Sequence, residues 1–294
     1  MRTHTAIPIL LLAGSLTGFA LYAETPLDLE PHLDASDSVI GVFEGWYRNA
    51  DGSFSLLAGY YNRNLKSALD IPVGRNNQIQ PGGPDRGQPS HFLPGRMWGD
   101  FVIIVPKDFG TGKLTWTIVA NGKTTVIPLS LKTDWEIAPF IDATNNTPPT
   151  LSFQSFDDAG PTIQGPGYLD ASMTARVGEP LALTVWAADD AVVSPGTHTP
   201  KVPVTLTWSL FRGPGAAAFS NTKPAVEKVE GKTPPKAAFA GKATTQVTFI
   251  EPGEYVLQVT ANDATGEGGG GFQCCWTNAQ VKVSVQPETT GSRE

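Results

Sequence analysis

Hydrophobic and polar residues alternate along most of this chain with a period of two, the spacing of half-buried strands, and rarely recur at helical spacing. In the second half, "PLALTVWAADD", "VPVTLTWSLF", "KATTQVTFI", "GEYVLQVTAND" and "AQVKVSVQP" each read as one strand between turn-rich segments. Weaker strands fall near "TLSFQSF" and "AAAFS". In the first half, "VIGVFEGWYRNADGSFSLLAGYY" is two β-prone runs around "NADG", a hairpin signal. "KLTWTIVANGKTTVIPL" turns at Asn121-Gly122, where both residues tolerate the positive φ of a type I′ turn. "DFVIIVP" adds a strand before it, and "NLKSALD" permits one short helix.

Between these runs lies "IPVGRNNQIQPGGPDRGQPSHFLPGRMWG", whose Pro and Gly residues forbid a long regular element. Loops of that length are usually functional or flexible. "PFIDATNNTPPT" reads as a linker, because Pro139, Pro148 and Pro149 block helix and interrupt strand ladders. The pattern predicts an all-β protein of two tandem antiparallel β-sandwich domains, at 37–138 and 151–287, joined by a linker at 139–150 and closed by a tail at 288–294. Two independent cores follow from that division, with the linker and the stretch "VEKVEGKTPPKAAFAGK" as the places that open first.

Composition sharpens the picture at three points. The 31 Gly and 25 Pro suit short strands joined by turns. A net charge of −7 leaves no basic stripe to neutralise phosphate, which argues against a nucleic-acid partner. At the N-terminus, Arg2, the run "AIPILLLAG" and the small residues before "LYAET" form a signal-peptide pattern over residues 1–23, too soon interrupted to serve as a spanning helix. A retained N-terminal anchor is the rival reading. With the segment removed, no membrane span is expected, and the protein is exported to the periplasm or the cell exterior.

The residues "WSLFRGPGAAAFS", "TFIEPGEYVLQVTAND" and "VKVSV" resemble PKD-type and related immunoglobulin-like modules of bacterial extracellular proteins, over roughly residues 148–287. The resemblance implies that the second domain is immunoglobulin-like, with Trp208 as the core tryptophan of strand C. It also implies that Tyr255, after Gly253 and Glu254, forms a tyrosine corner by bonding backbone a few residues upstream. Where the antibody pattern has cysteine this chain has Leu257, so aliphatic packing replaces the inter-sheet disulfide. Such modules serve as spacers, adhesins and ligand binders alike, so the likeness implies fold more than function. The first domain resembles no family.

The sequence contains no familiar nucleophile, zincin, P-loop or EF-hand motif. Trp46, Tyr47, Tyr60 and Tyr61 sit on one hairpin. Neighbours there point to opposite faces, so one set fills the core while the other stands free to stack on sugar rings, with Trp98 bordering the same surface. Core and interface packing is the competing explanation. In an immunoglobulin-like sandwich the B–C and F–G loops share one end. There Asp189, Asp190, Asp263 and Glu267 gather near the linker as hard oxygen ligands suited to Ca²⁺, if the domains stack end to end; solvated acidic loops are the alternative. No other cofactor is implied.

Cys274 and Cys275 are adjacent and are the only cysteines. In a regular strand their side chains point apart. A tight turn after "GGGG" would instead let them form a vicinal disulfide, with buried thiols, intermolecular linkage or copper binding as alternatives. The reading as a whole is a non-enzymatic exported protein for adhesion, assembly or ligand presentation, whose partner is a protein or glycan of the cell envelope. The alternative is a carbohydrate-binding accessory protein using the first-domain aromatics. A third possibility is an enzyme with an unfamiliar site in the 72–99 loop, dependent on His91.

Overall fold

The computed structural model describes residues 33–288 except 168, 194–195, 197 and 266–273. The signal-peptide reading therefore lies outside the described residues, as does Glu267. Among those described, no helix is long and apolar enough to cross a membrane.

The first half builds β1 (Val39–Arg48), β2 (Phe54–Asn62), β3 (Leu69–Asp70), β4 (Asn77–Gln80), β5 (His91–Phe92), β6 (Gly95–Val105), β7 (Lys113–Ala120) and β8 (Lys123–Ser130). Sheet β1-β2-β6 faces sheet β4-β7-β8, and β3 pairs with β5 at one side. Trp116, Phe92, Leu56, Ile79, Ile103 and Leu129 fill the space between them. The hairpin between β7 and β8 turns at Asn121 and Gly122, with φ of 50° and 75°, as the Asn-Gly pair predicts.

The long connection over 71–99 is ordered by a buried amide. Asn77 donates to the carbonyls of Ile71 and Pro89 at 2.9 and 2.7 Å, and its Oδ1 accepts from Trp116 Nε1 at 3.0 Å. All the polar atoms of that side chain are thereby satisfied inside the core, which makes the loop a fixed part of the sandwich. No helix forms at "NLKSALD". Asn64 is buried there, its Oδ1 accepting from the Asp37 N–H at 2.6 Å and its Nδ2 donating to Asn62 Oδ1 at 2.7 Å. Those bonds and the short β3–β5 pairing outcompete a seven-residue helix, which is too short to nucleate alone.

The second half builds β9 (Thr150–Ser152), β10 (Ile163–Gln164), β11 (Asp170–Arg176), β12 (Leu181–Asp189), β13 (Thr205–Arg212), β14 (Ala217–Phe219), β15 (Glu227–Lys228), β16 (Phe239–Phe249), β17 (Gly253–Asn262) and β18 (Trp276–Gln286). One sheet runs β10-β9-β12-β16-β14 with β15 also on β16, and the other β11-β18-β17-β13. Strands β9, β12, β16 and β14 occupy the A, B, E and D places, and β13, β17 and β18 the C, F and G places, which is immunoglobulin-like topology. Strand β11 adds a parallel edge to β18 that the sequence pattern did not reveal.

Trp208 on β13 is buried in the core, as the resemblance implied. Tyr255 opens β17 and donates its hydroxyl to the Glu251 carbonyl at 2.9 Å, forming the tyrosine corner. Leu257 and Leu183 are both fully buried, so aliphatic packing stands in the disulfide's place. Tyr255→Phe keeps the ring and removes that one bond. Stability should fall by about 1 kcal/mol, seen as a lower denaturant midpoint at unchanged m-value.

The described residues form one compact unit. The sandwiches do not sit apart on a flexible linker, nor do they stack end to end. The outer face of β11-β18-β17-β13 lies on the outer face of β2 and β6. Trp276 packs with Tyr47, Leu57 and Val102 in a small apolar cluster separate from both main cores. Around it, Gln258 donates to Asp100 at 2.9 Å and Asn278 to the Gly99 carbonyl at 2.8 Å. Phe211 of β13 belongs to the first sandwich's core, and Arg212 donates to the Gln88 carbonyl at 2.7 Å and reaches Asp85 at 2.8 Å. Gly99 sits directly against Trp276 and Asn278. Its φ is +48°, and a Cβ there would overlap the Trp276 ring.

Candidate functional site

The lateral packing leaves a cleft of about 240 Å³ between the sandwiches. The first sandwich contributes Trp98 and Asp100 from β6, with Tyr60 and His91 behind them; the second contributes Gln258 and Thr260 from β17, with Asn278 from β18. The period-two rule explains this lining. Tyr255, Leu257, Val259 and Ala261 point into the second core, so Gln258 and Thr260 point out toward the cleft.

Asp100 is the least ordinary group there. Its Oδ1 accepts from Gln258, whereas Oδ2 is buried and has no hydrogen-bond partner among the described residues. Burial pushes its carboxyl up to about 7, against the opposing pull of the Gln258 bond and the Arg96 charge. Arg96 pairs with Glu44 on β1 and lays its guanidinium 4.0 Å from the Trp98 ring centre. Trp98 is 44% exposed, so one face of its ring is held by a cation at the rim of the cleft. His91 bonds Asp70 through Nδ1 at 2.7 Å on the far side of the same lining.

The sequence-selected aromatics separate sharply. Trp46 and Tyr47 do point to opposite faces, but neither is free to meet a ligand. Trp46 lies in the first core and donates to the Lys132 carbonyl at 2.7 Å. Tyr47 is buried in the contact between sandwiches and donates to the Pro166 carbonyl at 2.6 Å. Tyr60 is buried, and its hydroxyl accepts from the Leu93 N–H at 2.8 Å, at the floor of the cleft. Tyr61 is half-buried on β2 and does not line the cleft. Only Trp98 of the five combines exposure with a place on the cavity.

No protein-family model matches the sequence, and no curated protein matches it. Solved structures similar to parts of the chain include the D00-D0 domain of Intimin, at 16% identity and a TM-score of 0.22, spanning 84% of this chain and 99% of that one. Domains 4 and 5 of the S-layer protein SbsC align at 11% identity and 0.23, spanning 85% and 98%. A family 123 glycoside hydrolase from Clostridium perfringens aligns at 12% and 0.25, over 40% of this chain and 23% of its own. The fold assignment rests on the chain's own strand order.

A second polar centre lies where β12 ends, β17 ends and the 139–150 segment passes. Asp189 and Asp263 are buried and Asp190 is half-buried, and the three carboxylates feel one another's charge. Burial first, then Asp190 and Asp263, pushes Asp189 up to about 7 against the Ala191 N–H bond; burial likewise raises Asp263. Asn146 is fully buried beneath them and donates to Asp263 Oδ2 at 2.6 Å, while Thr147 donates to Asp190 Oδ2 from both backbone and hydroxyl. The linker is thus fastened to the second sandwich. Cys274 and Cys275 form a disulfide just before β18, their peptide bond is cis, and their sulfurs lie 3.9 and 3.6 Å from the Asn146 carbonyl oxygen.

Proposed function

We propose that this chain is a non-enzymatic exported binding protein that holds a saccharide in the cleft between its sandwiches, for adhesion or ligand presentation at the cell envelope. The observation that carries the reading is the cleft itself, where Trp98 stands exposed at the rim beside the polar side chains Gln258, Thr260 and Asn278. A sugar offers both complements. Its hydroxyls exchange bonds with Gln258, Thr260 and Asn278, while its C–H face stacks on an indole ring. The cavity is smaller than the roughly 300–1,000 Å³ of drug-sized sites, which suits one ring or a chain end rather than a long oligomer. The N-terminal sequence pattern supports export.

Glycan-array binding followed by titration tests the proposal. Trp98→Ala and Thr260→Ala should each weaken the selected glycan at least tenfold, the loss of about 1.4 kcal/mol, at unchanged fold. Tyr61→Ala, remote from the cavity, should bind normally. Binding that survives both cleft substitutions would overturn the assignment.

A further inference from the structure

The first sandwich has a seam. Its two sheets end on β1 and on β8, each paired with a strand on one side only, and those two edges meet. The Thr125 hydroxyl closes the seam at one end by donating to the Val39 carbonyl at 2.8 Å. At the other end Trp46 Nε1 donates to the Lys132 carbonyl at 2.7 Å and the Ile137 N–H to the Trp46 carbonyl at 2.9 Å. Between these closures lies a hollow of about 400 Å³, which shares no lining residue with the cleft between the sandwiches.

The lining combines an exposed ring with unopposed positive charge. Trp135 is 47% exposed and rests against Phe43, their ring centres 5.7 Å apart, so the indole is held in place by a second ring. Beside it stand Lys113 and Lys132, both exposed, and Ser130. Among the described residues no ion pair reaches either lysine. Asp134 and Glu136 flank Trp135 in the chain, but neither lines the hollow, and Glu136 is drawn to Arg48 at 3.6 Å. Two cations without counter-ions around an exposed ring complement a ligand that carries both a negative charge and an apolar face.

The walls limit how long that ligand is. Gly41 lets β1 close on the core beneath the hollow, since a Cβ there would come within 2.6 Å of Trp116 and 2.8 Å of Ile127. Pro128 gives β8 no N–H in the middle of its edge, so a peptide strand added there would lack a ladder bond. Closed at both ends and within the roughly 300–1,000 Å³ of small-ligand sites, the hollow suits a compact ring rather than an extended chain.

We infer that this hollow is a second binding site, which takes the acidic unit of a saccharide, a uronate. The sugar ring lies on Trp135, its carboxylate pairs with Lys113 and Lys132, and a ring hydroxyl bonds Ser130. The choice of a sugar over another ring-bearing carboxylate rests on the saccharide reading of the cleft; the demand for an anion does not.

Calorimetric titration with digalacturonate, with the uncharged galactose disaccharide of the same linkage in parallel, tests the inference. The two probes differ only in their carboxylates. Digalacturonate should bind at least tenfold tighter, and its affinity should fall as NaCl rises from 50 to 500 mM. Lys113→Gln and Lys132→Gln should each weaken it about threefold, as loss of an exposed ion pair does, and about tenfold together. Arginine at both positions should keep most of the affinity. Trp135→Ala should weaken binding at least tenfold with little change in melting temperature, because the ring is half-exposed. No heat up to 10 mM digalacturonate would overturn the inference, as would equal binding of the two disaccharides or an affinity unmoved by the double lysine-to-glutamine variant. Acetate bound as tightly as digalacturonate would show a bare anion patch, and an acidic peptide bound in preference to both sugars a protein-docking groove; either result overturns the site. Digalacturonate binding lost in Trp98→Ala and intact in Trp135→Ala would put the acidic sugar in the cleft and overturn it too. Neutral-glycan binding that depends on Trp98 reports on the cleft alone, so either reading can fail while the other stands.

Discussion

Replacing Trp276 by Ala should turn a single unfolding transition into two. Trp276 is nearly fully buried, and with Tyr47, Leu57 and Val102 it makes up the apolar cluster between the sandwiches. Removing a buried tryptophan costs about 3–5 kcal/mol in transfer and cavity terms. Here that loss falls on the contact rather than on either main core, because Trp116 and Trp208 anchor those independently. The second sandwich should keep its tyrosine corner and its melting behaviour, while the first unfolds earlier with Leu57 and Val102 newly wetted. Differential scanning calorimetry checks this. Gly99→Ala attacks the same contact from the other side, forcing a methyl group into the indole at a left-handed backbone position, and should give the same separation in weaker form. One sharp transition in both variants would mean that the polar bonds around Asp100 and Gly99 hold the sandwiches together without the indole.

Acidification from pH 8 to pH 5 should stabilise the protein through Asp100. Its folded carboxyl titrates near 7 against an ordinary value of 3.8, so the folded state holds a proton that the unfolded chain releases in between. Stability from this group is fully present below about pH 4 and is lost as pH rises through 7. The full difference is about 4 kcal/mol at 1.36 kcal/mol per tenfold change in proton affinity. The groups around it are Arg96 on its own strand, Tyr60 on β2, His91 on β5, Lys223 and the neutral Gln258. Asp100→Asn removes the titration and leaves the others in place. The parent minus variant difference in melting temperature, taken across pH, should therefore fall from pH 5 to pH 8. A flat difference would mean that water reaches Oδ2.

Much of the fold could be read before any coordinates. Asn121-Gly122, the Trp208 position and the Tyr255 corner each combine a local backbone demand with a residue type that meets it, and each stands where expected. The packing of one sandwich on the other was not legible, for a physical reason. Gln258, Asn262, Asn278 and Gln280 alternate with apolar partners like any solvent-facing row, yet all four are buried. Polar residues that satisfy one another across an interface carry no pattern that distinguishes them from residues satisfied by water. One hint did exist on the other side. "FSLLAGYY" does not alternate, and an uninterrupted apolar strand has both faces covered. The same blind spot hid the burial of Tyr47: alternation put Trp46 and Tyr47 on opposite faces but could not say that the second face was covered too. The acidic centre was legible in part, since topology brings Asp189 and Asp263 together. Asn146, in a stretch that reads as a plain linker, was not.

The cover for Leu57 and Val102 comes from Trp276, on β18. During synthesis the first sandwich is therefore complete long before its outer apolar face acquires a lid. Until β18 emerges, that face is bare, and the contact that closes it joins positions about two hundred residues apart, the kind of pairing that forms late. A chain cut short before β18 would keep a well-made first sandwich and a sticky side. The protein's tolerance to loss of β18 is set less by the second sandwich than by the surface which that sandwich was covering.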